Sequence, residues 1–340
     1  FFLGKSVQQD ESKDRAITNT MQRWAPLGVV LFGLTVCLAG FDLLMALDPY
    51  WYSTMFGVYF FAGGFLSFFA TLNLTLFLLR SKGVAAAAIT PETDVIYHLA
   101  AVVSAHAEEE FAAGMKINLD GTRNILERCR ALGTAPVVVF TSSIAVYGGD
   151  VPDPVGEHAF LNPQTSYGMH KAVGELMVND YSRKGYVDGR AVRLPAISVR
   201  PGKPNRAASG FMSSILREPL NGQEAVCPVD DDFLHYYLSP RLCAENLVRT
   251  AEIEPGALGQ NRVLQMPGRT WSIRQMIDAM TAVAGPEPAS LIGWERDEAL
   301  LKIVGGWRFD IRADRALGLG LIADGSFEDN IRYYIEDDRG

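Results

Sequence analysis

Apolar and polar positions divide the chain into two unlike stretches. Residues 24–41 form an uncharged, largely apolar run of 18, extended by residues 43–47, and residues 55–79 form a second uncharged run of 25. A helix needs about 20 such residues to span a bilayer. The pattern therefore predicts a two-helix transmembrane hairpin over residues 1–83, with spans at about 25–47 and 55–79. Arg23, Arg80 and Lys82 flank the runs, and the loop from Asp48 to Thr54 has no Lys or Arg and three aromatics. The positive-inside rule puts both ends in the cytoplasm. The first run starts late and is followed by a longer one, which argues against a cleaved signal.

Beyond residue 93 the pattern changes. Asp94-Val95-Ile96-Tyr97-His98-Leu99-Ala100-Ala101 and Val137-Val138-Val139-Phe140 read as short continuous apolar runs, the mark of buried parallel strands. Residues 190–197 predict a third. Asn118-Leu119-Asp120-Gly121-Thr122 opens a helix between the first two. Residues 84–93, with Ala85-Ala86-Ala87-Ala88 and Pro91, form a linker or seam. Residues 94–340 are enough for one α/β unit with a sizeable core.

Charge follows the same division. Residues 91–340 carry 25 Lys+Arg against 34 Asp+Glu, an acidic balance that argues against a nucleic-acid surface. Four cysteines without a C-x-x-C pair suggest neither a zinc site nor a disulfide framework. Asp230-Asp231-Asp232 cannot converge on one ion from a strand or helix, and reads as a solvated loop. No metal site is expected.

The chemistry lies in Thr141-Ser142-Ser143 and Ser166-Tyr167-Gly168-Met169-His170-Lys171. A spacing of four puts Tyr167 and Lys171 on one helix face. A free phenol titrates near 10, and a neighbouring cation favours the phenolate. Tyr167 is thus the candidate general base, Lys171 its tuner and Ser143 the holder of the substrate hydroxyl. No side chain accepts a hydride, so a nicotinamide cofactor is implied. His98 and His170 are expected to be structural.

His98-Leu99-Ala100-Ala101, Asn118-x-x-Gly121-Thr122, Thr141-Ser142-Ser143-x-x-x-Tyr147-Gly148 and Tyr167-x-x-x-Lys171 together resemble the extended short-chain dehydrogenase/reductase family, also called the NAD-dependent epimerase/dehydratase family. Residues 166–168, 174–183, 193–205, 217–229 and 239–241 narrow the resemblance to its D-erythronate dehydrogenases. It implies NAD as cofactor, a small sugar acid as substrate and a homodimer built on the helix bearing Tyr167. By position it implies Asn118 as holder of the proton-relay geometry, and Ala100, Ala101, Tyr167, Lys171, Leu194, Pro195 and Ile197 as cofactor contacts. His235 is placed near the substrate cleft. Arg200, Lys203 and Arg241 are the candidate cations for a substrate carboxylate.

The expected fold is α/β, a doubly wound (Rossmann-like) parallel sheet. The family's first strands and Gly-rich pyrophosphate turn are not recognisable before Asp94. Weak NAD binding and slow turnover are therefore expected. The segment from Phe41 to Gly63 resembles large membrane subunits of alternative complex III, a quinol oxidoreductase. Two other readings follow: a non-catalytic membrane-associated subunit, or a chain joining two unrelated reading frames. The dehydrogenase reading places the catalytic part in the cytoplasm, anchored to the membrane through residues 25–79, or free of it if the first segment is artefactual.

Overall fold

In the computed structural model, the residues described are 86, 88–202, 208–307 and 309–338. The expected membrane hairpin and Lys203 lie outside them. Among the described residues, no helix is long and apolar enough to cross a membrane.

The apolar runs become strands of one parallel sheet. It contains β1 (Val95–His98), β2 (Val137–Ser143), β3 (Asp188–Leu194) and β7 (Val263–Gln265), in that spatial order. Register runs from Val95 opposite Val137 to His98 opposite Phe140, then from Val137 opposite Asp188 to Ser143 opposite Leu194. All pairs are parallel. Val138, Val139, Phe140, Ala191 and Val192 are buried, as strands covered on both faces must be. Among the described residues β1 pairs on one side only, and Val95 and Tyr97 are each 40% exposed.

Between β1 and β2 the chain is helical almost without break. It runs through α1 (Ser104–Glu109), α2 (Phe111–Gly114), a π-helical turn (Met115–Asp120) and α3 (Gly121–Leu132). Gly133, at φ +69°, closes α3 in the left-handed conformation that glycine accepts without penalty. The expected first strand ends earlier than its apolar run, at His98. Leu99–Val103 leaves the sheet because Asn118, from the π turn, holds the backbone of Val102.

After β2 comes α4 (Ser166–Arg183), capped by Thr165, whose hydroxyl accepts from Gly168 N. The single strand expected over 190–197 is two: β3 stops at Leu194, and β4 (Ala196–Ile197) joins another sheet. Pro195 stands at the break because it cannot donate to a ladder. The second sheet has order β4, β6 (Leu234–Leu238) and β8 (Arg269–Ser272). A third pairing joins β5 (Ala225–Cys227) to β9 (Ile292–Trp294).

Helices α5 (Phe211–Leu220), α6 (Pro240–Glu252), α7 (Pro255–Leu258), α8 (Ile273–Ala284), α9 (Glu298–Val304), α10 (Asp314–Gly318) and α11 (Phe327–Asp337) complete the fold. The core beside the second sheet includes Met212, Ile215, Leu216, Tyr237, Met276, Met280, Phe327 and Ile331. Asp230 and Asp231 pair with exposed Arg296 and with exposed Arg274 in the first turn of α8, in line with the solvated loop expected at the acidic triplet.

Candidate active site

Strand β2 ends in Thr141, Ser142 and Ser143 at the carboxyl edge of the sheet, where open α/β folds place their ligands. Ser143 then caps a short 3₁₀ turn, its Oγ accepting from Ala145 N at 3.1 Å. Helix α4 crosses this turn closely. A Cβ on Gly168 would strike the carbonyl oxygen of Ala145, and one on Gly174 would strike the Phe140 ring. These two glycines let the helix approach closely, with Tyr167 near enough to Ser143 for that hydroxyl to favour its ionised form.

Lys171 lies one turn further along α4 and is 4% exposed. Its Nζ donates to the Thr141 carbonyl oxygen at 2.5 Å. The same nitrogen is 4.9 Å from the Phe140 ring centre and 5.5 Å from that of Tyr167.

The electrostatics depart from the simple expectation. Burial pushes the Tyr167 phenol up to about 12, against the lowering effect of the Ser143 hydrogen bond. Burial also brings the Lys171 ammonium down to about 8, and the Glu175 carboxylate opposes that shift. Desolvation therefore outweighs the expected lowering of Tyr167 by Lys171.

Asn118 has the backbone contact expected of it. Its Oδ1 accepts from Val102 N at 2.8 Å, and its Nδ2 donates to Val102 O at 3.1 Å. Nδ2 also reaches His170 Nδ1 at 3.2 Å, which makes that ring nitrogen an acceptor. His98 bonds Thr122 Oγ1 at 2.8 Å, and the Thr122 hydroxyl donates to Asn118 O at 2.6 Å. The proton between the first pair thus belongs to His98 Nε2. Both histidines are structural ties, as expected.

The residues implied as cofactor contacts flank the strand ends: Ala100 and Ala101 follow β1, while Leu194, Pro195 and Ile197 lie at the passage from β3 to β4. This set fits the nicotinamide half of NAD. The small side chains leave room at the strand ends. Lys171 makes one hydrogen bond among the described residues, to Thr141, so its other N–H groups can meet a ribose hydroxyl pair.

The candidate substrate cations separate. Arg200 is half-buried and has no carboxylate partner among the described residues; burial and the Arg217 charge both lower its pKa. Arg241 is already committed, bonding Glu336 at 2.8 Å and Asp337 at 2.6 Å beneath Tyr333. It is not brought to the site. His235 lies behind the cleft rather than in it, 2% exposed and ringed by Phe233, Tyr237 and Trp307. Burial brings it down to about 3, so it is neutral in the folded protein.

A cavity of about 440 Å³ opens beside Ala145 and Tyr147. Gln164 and Thr165 line it from one side, Lys302 and Trp307 from the other. Sequence reasoning missed Lys302 and Trp307, which lie more than a hundred residues from the Tyr167 motif. It also left Glu175 and Arg193 without a role. Their signal was two charged residues in otherwise apolar, inward-facing positions.

A parallel sheet with a Ser–Tyr–Lys set at its carboxyl edge and room for a nicotinamide defines a class, the NAD-dependent Rossmann-type enzymes. Residues 72–232 match the model of the NAD dependent epimerase/dehydratase family. The chain is 51% identical over 250 residues to a D-erythronate dehydrogenase from Cupriavidus necator, covering 74% of this chain and 77% of that protein. A D-erythronate dehydrogenase from Haemophilus influenzae is 43% identical over 250 residues, with 74% and 79% covered. Among solved structures, the nucleoside-diphosphate-sugar epimerase from Agrobacterium tumefaciens superposes with a TM-score of 0.71 at 46% identity, covering 77% of this chain and 76% of its own. The chain belongs to the NAD-dependent epimerase/dehydratase family, and its cofactor is NAD.

Proposed function

We propose that the protein oxidises a secondary hydroxyl of a small sugar acid such as D-erythronate. The observation that carries this reading is the Ser143–Tyr167 hydroxyl pair at the end of β2, with Lys171 buried beside it; Ala145 and Thr165, each two residues from a member of the pair, line a neighbouring cavity. The identity to D-erythronate dehydrogenases supports the choice of substrate.

NAD, when bound, supplies the hydride acceptor. The chain does the rest. Ser143 holds the reacting hydroxyl, and Tyr167 takes its proton as the phenolate, which burial makes a minor species in the free protein. Lys171 as ammonium favours that phenolate and holds the ribose. The alcohol becomes a ketone and loses a hydride and a proton. Asn118 keeps the loop after β1 fixed beside the site. Arg200, with no carboxylate opposite it among the described residues, is the cation favoured for the substrate carboxylate.

NADH formation with D-erythronate tests the reading. Turnover by the wild type, and its loss in Tyr167→Phe, is the expected result. No turnover with D-erythronate or related sugar acids overturns it. Equilibrium dialysis of NAD on the same protein tests the weak cofactor binding expected from the sequence, and tight binding refutes it.

A further inference from the structure

Beneath the Ser143–Tyr167 pair lies a buried polar network with no part yet in the chemistry. Its centre is Glu175, 1% exposed and one helical turn beyond Lys171. Ser142 donates to Glu175 Oε1 at 2.5 Å. Arg193, from β3, grips the same carboxylate with two bonds, Nε to Oε1 at 2.8 Å and Nη2 to Oε2 at 2.7 Å. Arg193 also donates to the Tyr147 hydroxyl. That hydroxyl donates on to Gln265 Oε1 at 3.2 Å, and Gln265 donates to the Arg312 carbonyl at 2.9 Å. The network joins α4, the ends of β2, β3 and β7, and a cavity-lining residue.

We propose that Glu175, clamped by Arg193 and Ser142, is a positioning residue: it sets its carboxylate one helical turn from Lys171 and fixes the strand end that carries Ser143. The inference rests on the reading of Ser143, Tyr167 and Lys171 as the reacting set.

A lone Arg193–Glu175 pair could serve stability alone, and a hydrophobic pair could often replace it at no loss. The arrangement goes further than that. Ser142, bonded to Glu175, stands between Thr141, which accepts from Lys171, and Ser143, the neighbour of Tyr167. One carboxylate is thereby connected to both halves of the set. The charged and titratable groups facing Lys171 are His98 from β1, Tyr167, His170 and Glu175 from α4, and Arg193 from β3 behind Glu175. Glu175 is the anion among them that holds the ammonium charged against its burial.

Glu175→Gln tests this, because a glutamine fills the same space and its carbonyl can accept from Ser142 or Arg193. The primary readout is NMR titration of the Lys171 side chain in labelled protein, assigned with Lys171→Arg. The midpoint should fall by about one pH unit. The alkaline limb of kcat should move with it, so that kcat at pH 8 drops about fivefold. Glu175→Gln with Arg193→Gln removes both charges, and the midpoint should recover part of the way, because the buried cation that repels Lys171 has gone. Ser142→Ala should lower kcat and leave the midpoint in place. An unchanged midpoint in Glu175→Gln overturns the proposal. If that variant does not fold, a doubly neutral variant with both the wild-type kcat and the wild-type midpoint overturns it equally. The titration reads Lys171 directly, so it stands or falls apart from turnover of any sugar acid.

Discussion

Two buried regions of this protein handle polar atoms in opposite ways. At the carboxyl end of the parallel sheet, Ser142, Glu175, Arg193, Tyr147 and Gln265 are nearly enclosed, and each is hydrogen-bonded to the next. Around β6, His235, Tyr237, Trp271 and Phe327 stack as aromatics at centroid distances of 5.2–6.5 Å. There His235 Nδ1 and the Tyr237 hydroxyl are buried with no hydrogen-bond partner among the described residues. An unpartnered buried polar atom costs about 1–3 kcal/mol, so the aromatic region must recover that through packing. A linked polar network fixes direction as well as proximity, which proton transfer requires. The wall behind a cavity needs only volume and stiffness.

The largest effect expected at the polar end is loss of chemistry without loss of fold. Tyr167→Phe should lower kcat/KM by about 10²–10⁴-fold, with an unchanged thermal transition. A variant that unfolds earlier would break the comparison. The aromatic region should respond in the opposite sense. Phe327→Ala removes a buried ring between Tyr237 and Trp271 and should cost about 3–5 kcal/mol in denaturant unfolding. Its folded fraction should keep the wild-type kcat.

Acid should act on both regions through their histidines. Burial holds His98 at about 4 and His235 at about 3, below the ordinary value of 6.5. Below 6.5 the unfolded chain binds protons that the folded chain refuses, so stability is lost as pH falls from 6.5 through 4. The loss should reach a few kcal/mol, with the denaturation midpoint as readout. His235→Phe should flatten part of that acid limb; an unchanged limb would mean that His235 is charged in the fold. The smallest effect is expected at Arg241→Ala, which breaks ion pairs with Glu336 and Asp337 and a contact with the Tyr333 ring near the surface. Its KM for the sugar acid should equal the wild-type value, whereas that of Arg200→Ala should rise.

Much of the polar end was legible in the chain. Val137–Phe140 announced β2, and the helical spacing of Tyr167 and Lys171 put both beside its hydroxyl-rich end. Asn118 was found, but not the π turn that aims it at Val102, since that turn depends on packing rather than local preference. Pro195 carried the signal that β3 must end, and the apolar run concealed it. The partnership of Glu175 with Arg193 joins a helix to a strand, and no local spacing encodes such a pairing. His235 was misplaced for the same reason. Its neighbours Phe233, Tyr237 and Trp307 turn a polar-looking position into a core position. The substrate wall was least legible, because Lys302 and Trp307 reach the cavity only after the chain has passed through two further sheets.

That separation has a consequence for how such a protein changes its diet. Proton transfer is assembled from residues 98–193, while α9 and Trp307 close the cavity from a separate, later segment. Substitutions in residues 298–307 can reshape what the cavity admits and leave Ser143, Tyr167 and Lys171 undisturbed. A laboratory library confined to those ten positions would search for new sugar acids at little risk to the chemistry.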